Sequence, residues 1–158
     1  LKILNDYGNA NNGYYLNEVR KAEAYLTAAE AILRGGGGSK SEALGYVNEV
    51  RNRAYHSGKY AQYGNNVADG AITESQLTLD FILDERAREL YTEMVRRTDL
   101  IRYDYFTTDK YVWDWKGCAT SGSTDHAGKG VNRKYNLFPI PQDDILNNPH
   151  LNQNPDFE

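Results

Sequence analysis

Two apolar runs at helical spacing, parted by four consecutive glycines, constrain this chain more than any other feature. Val19, Ala22, Tyr25, Leu26, Ala29, Ile32 and Leu33 recur at intervals of three and four. That spacing puts one apolar face on a helix beginning at Asn17, a good N-cap residue. Ala24, Ala28 and Ala31 add small side chains that let another helix come close. The glycines at 35–38 end this helix. Gly-Gly-Gly-Gly-Ser is also the composition of a flexible engineered linker, and either origin stops the helix at the same place. A second helix then starts at Ser39 or Ser41, with Glu42 near its positive end. Ala43, Leu44, Tyr46, Val47, Val50 and Ala54 form its apolar face, and it ends near His56. Two helices joined by so short a turn make an antiparallel hairpin over residues 17–56, the unit of tetratricopeptide-like arrays. No self-repeat of about 34 residues extends it.

Residues 57–73 are polar and rich in Gly and Asn, a loop between helices. Ser75 or Thr78 then caps the most strongly patterned segment, 77–106. Leu79, Ile82, Leu83, Arg86, Leu90 and Met94 lie along one helical stripe, and Val95, Leu100, Ile101 and Tyr105 continue the apolar content. One unbroken helix of that length would exceed about 40 Å, so a break is expected near 92–98. Residues 107–136 read as a long loop excursion rich in Gly, Ser, Thr and Asp. The tail, 137–158, holds all four prolines. Pro139 and Pro141 force it into an extended path, with Leu137, Phe138 and Ile140 as apolar anchors. The expectation is an all-α fold in one domain, 1–158, of tetratricopeptide-like helix pairs with long irregular excursions.

Composition removes several functions. A net charge of −4 and a pI near 5.4 lack the basic patch that nucleic-acid binding needs. No apolar run approaches the roughly 18 residues of a membrane helix. One cysteine rules out an internal disulfide and a cysteine-based zinc site. His56, His126 and His150 lie in separate loops or helix ends without ligand spacing, so no metal or cofactor site is expected. There is no phosphate-binding glycine loop and no nucleophile elbow. The chain opens on Leu, with no signal peptide before it, and reads as a portion of a longer protein.

Charge concentrates at Glu85, Arg86, Glu89, Glu93, Arg96, Asp99 and Arg102. Glu85, Glu89 and Glu93 share one helix face, which invites a glycosidase reading. Carboxylates strung along a helix do not flank a bond, however, and the neighbouring arginines hold them ionised. These residues are expected to form a structural ion-pair network: Arg86 sits on the apolar stripe and needs a carboxylate if buried. Glu93 and Arg97 are ordered for an i,i+4 pair. Tyr111, Trp113 and Trp115, in the run YVWDWKGC, are the candidate ligand-binding residues. In an extended segment the three would share a face, fit either to stack on sugar rings or to dock on the helices.

Three segments resemble one family in order and spacing. RKAEAYLTAAEAILR with SEALGYVNEVRNRA (20–34 and 41–54), ILDERARELYTEMVRRTDLIRYDYF (82–106) and NLFPIPQDDILNNPHLNQNPDF (136–157) are similar to the C-terminal part of SusD/RagB-type outer-membrane nutrient-binding lipoproteins. The resemblance implies a surface lipoprotein of Bacteroides-type bacteria. Such a protein is a lid on a TonB-dependent, SusC-like outer-membrane transporter, captures oligosaccharides or other nutrients for it, and catalyses nothing. The family anchors through a cysteine near its N-terminus, which Cys118 does not match. Its members often carry a Trp-x-Trp-Lys-Gly run, which favours scaffold over ligand-specific platform for Trp113 and Trp115. On that view the aromatics pin the excursion to the helices, and sugar contacts lie mainly outside this chain. The runner-up function is a helical scaffold that docks the transporter. Two departures stand out: Met94 and Asp156 occupy positions where the family commonly has glycine. The stretch 118–130 matches no family pattern.

Overall fold

The helical hairpin forms where its caps and glycines direct. The computed structural model describes residues 20–56, 70–117 and 127–157, which fall into two compact units divided between Met94 and Val95. In the first unit α1 spans Lys21–Leu33 and α2 spans Lys40–His56. Arg20 is the N-cap of α1 and gives no side-chain cap bond; Asn17 and Val19 lie outside the described residues. At α2 the Ser39 hydroxyl accepts from the Glu42 amide at 3.1 Å, the N-cap its sequence offers. The third helix, α3 (Leu79–Glu89), starts on Thr78, whose hydroxyl accepts from the Phe81 amide at 3.0 Å.

The core of this unit is Leu26 and Ala29 from α1, Ala43, Val47 and Val50 from α2, Ile82 from α3, and Ile72 and Leu77 from the segment before α3. Leu83 and Leu90 are buried as well. Each fully buried Leu or Ile contributes about 1.5–3 kcal/mol over its exposed state. Small residues let the helices approach: Ala29 and Ala43 are wholly buried. Ala24, Ala31 and Ala54 are exposed, so the apolar faces are narrower than the spacing suggests. Tyr25 of α1 stacks on Tyr46 of α2, with centroids 5.3 Å apart. The Asn48 amide bonds both the N–H and the C=O of Ile72, at 2.8 and 3.1 Å, fastening the incoming segment to α2.

The break expected near 92–98 opens earlier. α3 ends at Glu89, and Thr92 and Met94 adopt left-handed φ values of 70° and 62°. A left-handed residue takes the chain out of the helical path. Met94 therefore leaves the apolar stripe, and it is 86% exposed.

The second unit contains α4 (Arg96–Arg102), a short 3-10 turn (Arg133–Asn136) and α5 (Gln142–Asn147). The tail is not extended throughout, because α5 lies within it. Pro141 fixes φ at −54° at the N-cap, and Asp143 and Asp144 occupy the first turn, where negative charge is favoured. The irregular segments flanking α5 are held by side-chain amides. Gln153 bonds both N–H and C=O of Ile140, at 2.8 and 2.9 Å, and Asn154 donates to the Phe138 carbonyl at 2.6 Å. Leu137 and Phe138 are exposed and not the buried anchors expected of them. Arg97 lies over the Phe138 ring at 4.1 Å. Among the described residues the fold is helical and strand-free, all-α with irregular excursions.

Candidate functional site

The carboxylates that invite a catalytic reading are each held by arginines; Glu85 and Glu89 lie on α3, while Glu93 falls beyond its end and does not share their helix face. Glu85 takes Arg51 at 2.7 Å and Arg88 at 2.7 Å. Glu89 takes Arg20 and Arg53, both at 2.5 Å, and Glu93 takes Arg20 at 3.2 Å. Arg86, buried on the stripe, donates to the Thr27 hydroxyl at 3.1 Å and faces Glu23 at 3.8 Å. Three of these partners, Arg20, Arg51 and Arg53, come from α2 or the start of α1, so the ion pairs tie the hairpin to α3. In the second unit, buried Asp99 pairs with Arg102 at 2.8 Å. Arg96 donates to the Tyr111 hydroxyl at 2.7 Å and lies over that ring at 5.1 Å. Arg97 donates to the Tyr135 carbonyl, not to Glu93, since the helix needed for an i,i+4 pair stops at Glu89.

The aromatic run belongs to a loop stitched mainly by main-chain groups. The segment is not extended: it turns at 114–117, and Trp115 sits at a left-handed φ of 72°. Tyr111 is packed, stacked on Tyr105 with centroids 5.6 Å apart and nearly parallel planes. Trp113 meets Tyr111 edge-on at 6.2 Å. Trp113 and Trp115 are 46% and 48% exposed, so they are not buried pins.

Pinning falls instead to Lys116, only 3% exposed. Its ammonium donates to the carbonyls of Tyr105 (2.5 Å), Thr108 (3.0 Å) and Tyr111, and lies 5.4 Å from the Trp113 ring centroid. Burial lowers its pKa from the ordinary 10.5; Asp109 opposes this and Arg96 adds to it. The segment after the turn passes close beneath. Lys129 N–H donates to the Lys116 carbonyl at 2.8 Å, and Val131 N–H to the Phe106 carbonyl at 3.2 Å. Gly130 N–H donates to Asp109 at 2.6 Å. A Cβ at Gly128 would stand 2.0 Å from the Trp113 carbonyl oxygen, and one at Gly130 would stand 2.6 Å from the backbone of Thr107. Only glycine permits that approach. Sequence reasoning missed Lys116, Gly128 and Gly130, although Lys-Gly after the tryptophans and the Gly-Lys-Gly at 128–130 were visible. Cys118 and His126 lie outside the described residues. No cluster of His, Cys, Asp or Glu fit to hold a metal ion occurs among the described residues. No helix among them is long and apolar enough to cross a membrane.

A tetratricopeptide-like helix pair and a third helix, with an irregular aromatic excursion in the neighbouring unit, define the class. The family model described as the SusD family matches residues 4–157, and the chain belongs to that family. It is 44% identical over 139 residues to the starch-binding protein SusD of Bacteroides thetaiotaomicron, an alignment covering 88% of this chain and 21% of that protein. It is 32% identical over 136 residues to SusD-like protein P2 of Formosa agariphila, covering 86% of this chain and 24% of that one. Among solved structures it resembles a SusD superfamily protein from Bacteroides vulgatus, with a TM-score of 0.57 and 30% identity over 87% of this chain and 27% of that chain. The chain thus spans between a fifth and a quarter of the curated relatives it matches.

Proposed function

We propose that this chain is part of a cell-surface glycan-binding lipoprotein that captures oligosaccharides and delivers them to a TonB-dependent, SusC-like outer-membrane transporter. Family membership and likeness to a protein named for starch binding support the ligand class. The observation that carries the reading within this chain is the pair of half-exposed indoles, Trp113 and Trp115, the first of which meets the Tyr111 ring of the Tyr105–Tyr111 stack. Tyr111 serves as the packed base of the platform and the two tryptophans as its ligand-facing rings. Binding without catalysis fits the state of the acidic residues: Glu85 and Glu89 are each clamped by two arginines, leaving neither placed as a general acid.

Substituting Trp113 and Trp115 by Ala in the intact protein and titrating with maltoheptaose tests this. Loss of an aromatic stacking surface typically costs about 1–3 kcal/mol per ring, a scale taken from base stacking. Affinity lost at unchanged thermal stability supports the platform; unchanged affinity refutes it. Release of reducing ends from the bound glycan would overturn the non-enzymatic reading.

A second reading is favoured by the exposed Leu137, Phe138 and Leu146 of the tail. In it the chain is a scaffold docking the transporter, with ligand contacts elsewhere in the protein. It predicts intact glycan affinity in the tryptophan variants and lost transporter co-purification when Leu137 and Phe138 become Ser.

A further inference from the structure

We infer that Lys116 is the positioning residue of the aromatic face, an internal cation that sets where Trp113 and Trp115 stand. The inference about position rests on the loop geometry; its consequence for ligand rests on the platform reading above.

The three N–H donors of an ammonium meet three main-chain carbonyls, those of Tyr105, Thr108 and Tyr111. Those carbonyls come from three points along a seven-residue bend, 105–111, whose oxygens converge on one spot. Converging carbonyl dipoles repel unless a positive charge stands at their focus. Lys116 supplies it from the far side of the tryptophans, so the ammonium closes a ring running from Tyr105 through Trp113 and Trp115 to Lys116. Its own main chain completes the closure: Lys116 N–H donates to the Trp113 carbonyl at 3.1 Å, and its carbonyl accepts from Lys129. One residue thus ties the bend before the indoles to the segment passing beneath them. The two tryptophans flank Asp114 within this ring, and Trp115 is held at a left-handed φ that a bulky residue seldom adopts. Such a conformation persists only where its surroundings over-determine it. Few apolar side chains do so here, since Leu100 and Tyr103 are the buried hydrophobic residues of this unit among the described residues. Polar closure through Lys116 holds the face that apolar packing does not.

The experiment compares Lys116→Met, which keeps the bulk and removes every donor, with Lys116→Gln, which keeps two neutral donors on a shorter arm. Both are made in the intact protein labelled with 5-fluorotryptophan. Amide exchange of peptides spanning 105–117 is expected to rise roughly tenfold or more in the Met variant and less in the Gln variant. The fluorine resonances of Trp113 and Trp115 shift in the same order, while exchange in α1, α2 and α3 is unchanged. Unmoved resonances and unchanged exchange at 105–117 overturn the inference. Should the Met variant not fold, the Gln variant alone decides on the same readouts. Maltoheptaose affinity separates the two claims. A loss in the lysine variants that parallels a loss in Trp113→Ala and Trp115→Ala supports both. Moved resonances with affinity intact in all four variants leave Lys116 as the positioning residue and sink the platform reading.

Discussion

The helical unit and the aromatic excursion solve the same problem, holding a chain in one shape, with opposite materials. Among the described residues between Arg20 and Leu90 the shape rests on fully buried Leu26, Val47, Ile82 and Leu83, overlaid by side-chain ion pairs from the α1 N-cap and α2 onto α3. Among the described residues between Tyr105 and Val131 it rests on main-chain hydrogen bonds, a buried ammonium and glycines that let backbones touch. Apolar packing leaves a closed surface. A loop closed through its own backbone can leave large side chains half exposed, as Trp113 and Trp115 are. The first arrangement suits a scaffold and the second a contact surface.

The contrast can be broken most sharply from the packed side. Leu83→Ala is expected to destabilise the first unit by about 2–5 kcal/mol, because a buried cavity remains. Urea unfolding monitored by far-UV circular dichroism measures it, and a loss under about 1 kcal/mol would mean the core adapts more freely than its burial implies.

Next comes the stitched side. Gly128→Ala forces a methyl against the Trp113 carbonyl and is expected to cost about 1–3 kcal/mol. Its mark is selective: exchange rises at 105–117 while α1 to α3 stay protected. An equal loosening of both units would contradict the division of labour.

The smallest effect runs the other way. Met94→Gly relieves a left-handed φ of 62° at an exposed site and is expected to stabilise by about 0.5–1 kcal/mol, net of glycine's extra chain entropy. Asp156→Gly, at φ 71°, gains less, since aspartate tolerates this region better than methionine. Paired thermal melts of the intact protein read both changes.

How far the sequence spoke for each region follows the same division. Periodicity located α1, α2 and α3, and Ser39 and Thr78, each one of two candidates the sequence offers, cap α2 and α3, because apolar faces and capping side chains are properties of residue type. Two glycine-typical positions filled by Met94 and Asp156 proved to be left-handed, so the family pattern carried backbone geometry that the residues themselves conceal. The early end of α3 was hidden for that reason: nothing about Thr92 or Met94 as residue types announces a left-handed turn. The prolines of the tail, 137–158, point to an extended path, yet Pro141 precedes a helix as readily as it blocks one, and residues 142–147 are helical. The excursion was the least readable. The partners of Lys116 are carbonyls, which every residue carries, so no letter in the sequence marks Tyr105, Thr108 or Tyr111 as its receptors. Gly128 and Gly130 stand in a glycine-rich excursion, and their importance lies in the backbone that a Cβ at either position would meet within 3 Å.

Trp113 and Trp115, held by a loop closed through Lys116, are proposed to face a sugar. A crystal structure of the intact protein with a bound maltooligosaccharide tests it most directly. The expected result is a pyranose face stacked on at least one of these indoles, about 4 Å from the ring plane, with the Lys116 ammonium still on its three carbonyls. A well-ordered oligosaccharide bound elsewhere, with both indoles uncovered, would contradict it.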